Sequence, residues 1–138
     1  MQIEYRNSER RRTLIKYILG RINDSLARTG EVRIDFVNVN IEHVIPQRPS
    51  DDWNLTRDEI NDYVNLLGNL TLLDRVINSS IGNSHIDEKI TKLRSSVLPI
   101  TQNLVITIEE LNNVWDENSI RNRHAFLSEI SFERVWDY

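Results

Sequence analysis

A single long stretch of this chain has strand-like patterning, and that limits any sheet to very few strands. Val32-Arg33-Ile34-Asp35-Phe36-Val37-Asn38-Val39-Asn40-Ile41-Glu42-His43-Val44-Ile45 is rich in β-branched residues and alternates over much of its length. It reads as one strand or a broken pair, ended by Pro46 and Pro49 because proline removes a ladder donor. Asn69-Leu70-Thr71-Leu72-Leu73 is a second, short strand candidate. The flanking segments carry helical spacing instead. The expected fold class is therefore α+β, mostly helical, with a small two-stranded element in the middle.

The helices follow from apolar periodicity and stop signals. Leu14, Ile15, Ile18, Leu19, Ile22 and Leu26 form one stripe, predicting a helix over 8–28 that Gly30 stops. Thr56-Arg57-Asp58-Glu59 is a capping-box pattern opening a helix over about 57–67. Ile60, Tyr63, Val64 and Leu67 form its inner face, and Gly68 closes it. A further helix starts near Asp74 or Arg75 and is interrupted around Gly82-Asn83. Another covers 85–97, with Ile86, Ile90, Leu93 and Val97 inward. Pro99 marks a break, and Thr107-Ile108-Glu109-Glu110 reads as a second capping box with Leu111 and Val114 inward. A last helix spans roughly 117–130, and Trp136 packs a tail onto the body. No repeat, low-complexity tract or linker interrupts the 138 residues, so one domain over 1–138 is expected. It divides into a helical N-terminal part at 1–30, a core at about 32–97 and C-terminal helices at about 100–138.

Composition removes several function classes. The chain has no Cys, which excludes a disulfide scaffold and any thiolate metal site. No apolar run approaches the roughly 20 residues that cross a bilayer, and no signal-peptide core is present, so a cytoplasmic protein without a membrane partner is expected. The net charge is −4, but it is unevenly spread. Residues 1–30 hold seven Lys/Arg against three Asp/Glu, and the remainder hold ten against eighteen. Any footprint for a polyanion is therefore local, and a solvated basic helix face would look the same.

The candidate chemistry lies in the middle of the chain. Glu42 and His43 are adjacent near a strand end, where a carboxylate can hold a hard cation while an imidazole acts as a base. Neighbours on a regular strand face opposite sides, so both serve one site only if the strand ends or bends there, as Pro46 suggests. Asn69 precedes the second strand and Asn78 follows nine residues later. An Asn carbonyl oxygen is a legitimate Mg²⁺ ligand. Taken singly, each residue has a structural reading: a turn for Asn69, a helix start for Asn78, a surface or core histidine for His43. His85 reads as a helix-start surface residue and His124 as a partly buried structural one.

Taken jointly, the pattern resembles the HNH motif (ββα-metal, or His-Me finger) of nucleases. Ile41-Glu42-His43-Val44-Ile45-Pro46-Gln47, Leu67-Gly68-Asn69-Leu70-Thr71-Leu72-Leu73 and Asn78-Ser79-Ser80-Ile81-Gly82-Asn83 are more closely similar to the C-terminal nuclease domain of GmrSD-type modification-dependent restriction enzymes. Trp53, Lys89, Trp115, Arg121 and Arg123 agree as flanking features, and the resemblance covers roughly 8–136. It implies a ββα-metal core whose two-stranded antiparallel hairpin is embedded among about five to six helices. It implies His43 as general base, Asn69 as the residue bracing the loop and orienting that base, and Glu42 and Asn78 as ligands of one Mg²⁺ or Mn²⁺. Many such nucleases have Asp where Glu42 stands, one methylene shorter. The activity implied is hydrolytic nicking of DNA in an anti-phage restriction system.

DNA contact would run through phosphates, with Arg10, Arg11, Arg12 and Lys16, then Arg75, Lys89 and Arg94, and Arg121 and Arg123 as candidates. No element reads as a recognition helix, so specificity is expected from an N-terminal nucleotide-hydrolysing sensor domain or subunit absent from this chain. A homodimer is one way for a nicking domain to cut both strands. Two rival readings stay open: an RNA-directed or toxin-like HNH nuclease, and a non-catalytic helical interaction module. They differ in geometry, because only a nuclease needs Glu42, His43 and Asn78 to converge.

Overall fold

The computed structural model describes residues 3–27, 38–77, 82 and 84–132. Its centre is an antiparallel hairpin of β1 (Val39–His43) and β2 (Leu70–Asp74), paired from Val39↔Asp74 through Ile41↔Leu72 to His43↔Leu70. Residues 70–73 are buried without alternation, as an apolar run covered on both faces must be. Among the described residues the first strand is shorter than its sequence pattern, and residues 31–37 of that pattern lie outside them. The mostly helical α+β class is borne out.

Helix α1 (Glu9–Leu26) begins at Ser8, whose hydroxyl accepts from Arg11 N at 3.2 Å, satisfying one of the free donors of the first turn. Its Ile15, Ile18, Leu19 and Ile22 are buried against Val39, Leu70 and Leu72, whereas Leu14 is exposed. Each side chain of that stripe contributes about 1.5–3 kcal/mol by leaving water. Asn23, also buried, accepts at its side-chain Oδ1 from Ile100 N at 3.0 Å and ties α1 to the next helical layer.

The segment expected as a helix over 57–67 is helical only at α2 (Arg57–Ile60). The Thr56/Glu59 capping box is present as read. Beyond Ile60 the backbone turns by tighter bonds, Tyr63 N to Ile60 O and Leu66 N to Tyr63 O, and Leu66 bridges Glu4. The inner face of Ile60, Tyr63, Val64 and Leu67 is nevertheless buried. Tertiary pairing with the N-terminal segment overrides the helical period here.

Residues 75–77 are helical directly after β2, as expected. Helix α3 (Ile86–Leu93) buries Ile86, Ile90 and Leu93, but Val97 lies past its end and is exposed. Helix α4 (Pro99–Glu110) starts where a break was expected. Pro99 is in its first turn, where a missing N–H costs nothing. The supposed second capping box is therefore mid-helix, and Thr107 Oγ1 donates to Asn103 O within it. Leu111 is exposed at the end of α4, and Val114 is exposed beyond a stop made by Asn112 and Asn113, both at positive φ. Helix α5 (Glu117–Ile130) matches its expected span and is capped by Asp116 with Ser119. Trp136 lies outside the described residues. No described helix is long and apolar enough to cross a membrane.

The two core clusters meet at the hairpin. One joins α1, Val39, Leu70, Leu72, Leu98, Ile100 and Leu127. The other joins Val44, Ile45, Trp53, Leu73, α3, α4 and Trp115. Helix α5 closes on the turn before β2. A Cβ on Gly68 would stand 2.0 Å from Ile120 O and 2.6 Å from His124 N, both backbone atoms. Gly68→Ala is expected to cost about 3 kcal/mol or more by forcing α5 away; urea denaturation showing a loss below about 1 kcal/mol would contradict this packing.

Candidate active site

Everything at the site is organised by a buried amide. Asn69 is wholly inaccessible, and each of its polar atoms is used. Its Oδ1 accepts from Ile45 N at 2.9 Å and from Trp115 Nε1 at 3.1 Å. Its Nδ2 donates to Ile45 O at 3.0 Å and Val64 O at 2.8 Å. Its backbone oxygen accepts from Val44 N at 2.9 Å. Asn69 therefore fixes the chain just after His43, as a brace would, and makes no contact with the imidazole itself. Arg123 supports the same turn from α5, donating to Gly68 O at 3.0 Å and Leu70 O at 2.7 Å.

His43 is the last residue of β1 and is partly buried. Its Nε2 lies 3.0 Å from Asn65 Oδ1, which also accepts from Gln47 Nε2 at 3.0 Å. The Tyr5 ring meets the imidazole edge-on, with centroids 4.7 Å apart and planes at 85°. Tyr5 is itself held there, because its N–H donates to Asn65 O at 2.8 Å. Burial is the main cause that lowers the His43 pKa, to about 4; the Lys89 charge adds to it and the Asn65 bond opposes it. The imidazole is thus neutral at neutral pH, the form a general base requires.

The strand stays regular through His43, with Glu42 opposite Thr71 and His43 opposite Leu70. The expected bend does not occur between them, so the two side chains leave on opposite faces. Glu42 is buried with Lys89 of α3, whose ammonium lies 3.3 Å from Glu42 Oε1. The same ammonium donates to His43 O at 2.7 Å and Val44 O at 2.8 Å. Lys89 is fully inaccessible, which corrects the expectation that it touches a phosphate. Burial lowers its pKa, and Glu42 opposes that shift.

A divalent cation was expected on Glu42 and Asn78. Asn78 lies outside the described residues. Glu42 already faces an ammonium, and among the described residues no three His, Cys, Asp or Glu side chains converge as a metal site would need. The described residues by themselves do not fit a Mg²⁺ centre, which takes several oxygen ligands in near-octahedral array.

The cationic candidates separate into distinct groups. Arg12 and Lys16 line a groove of about 390 Å³ with Tyr5, Asn40 and Ile41. The Lys16 pKa is lowered by burial and then by the charges of Arg75 and Arg12. Arg10 is exposed on the same helix, and Arg11 donates to Glu4 O at 3.4 Å. Asn65 and Gln47 line a second, larger cleft of about 750 Å³ with Arg48 and Arg57. His43 touches a wall residue of each depression. Arg94 is instead paired with Glu109 at 3.2 Å and Arg121 with Glu117 at 2.8 Å. Arg123 is buried in its backbone contacts and is corrected from a DNA candidate to a structural residue. His124 is structural as expected, its Nδ1 accepting from Gly68 N at 3.2 Å. His85 occupies the N-cap position of α3, and its ring is tilted at 51° to that of Trp53 with centroids 4.9 Å apart.

Sequence reasoning missed Tyr5, Gln47 and Asn65 as members of this site, and it misjudged Lys89. Asn65 is 22 positions from His43, and the contact depends on the tight turns that replace the expected helix. No local spacing signals such a contact.

Two outcomes follow from these electrostatics. Lys89→Met should destabilise the fold by about 3–5 kcal/mol because the buried Glu42 loses its ammonium partner. Lys89→Met with Glu42→Gln should recover part of that loss in urea titrations, and no recovery would argue against the pair. For His43, the folded pKa of about 4 lies below the ordinary histidine value of 6.5. Between those values the unfolded chain binds a proton that the folded chain refuses, so stability falls as pH drops through that window. The loss approaches about 1.4 kcal/mol per pH unit at most. Wild type should therefore lose more stability than His43→Gln from pH 6.5 to 4, and parallel curves would contradict the burial of a neutral imidazole.

Comparison with known proteins gives one match. A family model described as GmrSD restriction endonucleases, C-terminal domain, matches residues 1–130. No curated protein and no solved structure matches the chain. The match spans both strands, the Asn69 turn, Lys89 and all of α5, and on that extent the chain belongs to the family of GmrSD restriction endonuclease C-terminal domains.

Proposed function

We propose that this chain is a DNA-nicking endonuclease domain in which His43 is the general base. The observation that carries the reading is the placement of His43. It stands at a strand end braced by Asn69, is neutral at physiological pH, and touches Tyr5 and Asn65, each of which lines a depression that bears arginine or lysine. In such a site the imidazole takes a proton from a water molecule as that water attacks phosphorus. A phosphodiester oxygen leaves, and one strand is cut. Family membership supports DNA as substrate and other domains as partners. The resemblance further supports an anti-phage restriction role and a sensor that supplies specificity.

Arg12, Lys16 and Arg75 on one side, with Arg10 and Arg11 nearby, form the strongest group of phosphate contacts. Contacts of this kind confer salt-dependent binding with little sequence information. Metal dependence rests on the resemblance and on Glu42 and Asn78 as its named ligands. Because the described residues do not assemble a metal centre, no step of the reading passes through one.

The test is supercoiled plasmid incubated with the protein in Mg²⁺, Mn²⁺ or EDTA, beside His43→Ala. Open circles are expected from the wild type with metal. The variant should be about 10²–10⁴-fold slower, the scale of a lost general base. Equal nicking by a folded His43→Ala protein would remove the assignment. No nicking by wild type, even with its partner domain added, would leave a nuclease fold used only for binding.

A further inference from the structure

We infer that Asn65 is a positioning residue that holds His43 as its Nε2–H tautomer, leaving Nδ1 as the nitrogen that accepts a proton. The inference rests on the nuclease reading only for the last step; the tautomer is a property of the folded chain. Neutral imidazole carries one N–H and one lone pair, and the hydrogen bond at one nitrogen decides which is which. His43 Nε2 lies 3.0 Å from Asn65 Oδ1, a carbonyl oxygen that only accepts. Gln47 Nε2 donates to the same oxygen from 3.0 Å. Two donors thus meet the two lone pairs of one carbonyl. That arrangement leaves Nδ1 unprotonated, and it makes no hydrogen bond among the described residues.

The rest of the surroundings keeps the amide in place. Asn65 is anchored through its own backbone, where Tyr5 N donates to its oxygen at 2.8 Å. Tyr5 also packs its ring against the imidazole in a T-shaped contact, with centroids 4.7 Å apart. Gln47 is exposed on the wall of the larger cleft, so the amide pair stands between open space and the base. Asn69, whose every polar atom is committed elsewhere, cannot orient the ring directly. In this chain the bracing of the loop and the orienting of the base are therefore divided between Asn69 and Asn65.

Multiple-bond ¹H–¹⁵N correlation spectra of the wild-type protein at neutral pH read the tautomer without any activity. The expected result is protonated Nε2 and unprotonated Nδ1 at His43. The opposite tautomer would overturn the inference, because Asn65 would then be donating. Asn65→Leu, which keeps volume and loses the acceptor, should mix the two tautomers and lower kcat about 10–100-fold with little change in KM. Asn65→Asp, an acceptor again, should restore the Nε2–H signature. An unchanged tautomer in Asn65→Leu would also overturn the inference. Should that variant not fold, Gln47→Leu offers the second reading: loss of its donor frees the amide, and broadening of the His43 ring signals is expected. A wild type that shows the Nε2–H tautomer yet never nicks DNA would count against the nuclease reading and leave the assignment of Asn65 intact.

Discussion

Four hydrogen bonds from one buried side chain hold this site together. Asn69 joins Ile45, Val64 and Trp115, which belong to the strand end, the turn after α2 and the loop before α5. Each bond has a net value of only about 1 kcal/mol. Their importance is geometric, because an amide with every lone pair and hydrogen committed permits one arrangement of its three neighbours. His43 and Asn65 are each within two residues of those anchors, so their 3.0 Å approach is inherited from Asn69. Gly68 serves the same end by letting α5 come close enough for Arg123 to bind the turn.

The charges around the hairpin are arranged by what each face must do. On one side Glu42 and Lys89 are sealed together, and the ammonium also gathers two strand-end carbonyls. A buried pair of this kind adds little net stability but specifies one geometry, since breaking it strands a charge. On the other side the His43 imidazole is kept uncharged mainly by burial, and its ring neighbour Tyr5 lines a groove with Arg12 and Lys16. A strand only five residues long separates these two environments.

Much of the fold was legible. The α1 stripe apart from Leu14, the span of α5, the Thr56 capping box, the β2 run, the inward face of α3 apart from Val97 and that of residues 60–67 all match the structure. The errors share a cause. Capping patterns and periodicity are local, and they were overruled where tertiary contacts offered more: Pro99 opening a helix, Thr107 inside one, the turns after Ile60. The site was half legible. His43 and Asn69 could be named because adjacent motif residues surround them, whereas Tyr5 and Asn65 carry no motif and meet only through folding.

The amino-acid sequence by itself determined the class of the fold and the family and singled out His43 as the candidate base, because these depend on composition, period and order along the chain. The tertiary structure decided what each group is next to. It turned Lys89 and Arg123 from candidate DNA contacts into buried scaffolding, put Glu42 and His43 on opposite faces, and delivered Asn65 to His43. The physical reason is that burial and hydrogen-bond partnership are properties of packed surfaces. A side chain with the same covalent chemistry becomes a phosphate contact in water or a strand clamp in the core, and only packing chooses between them.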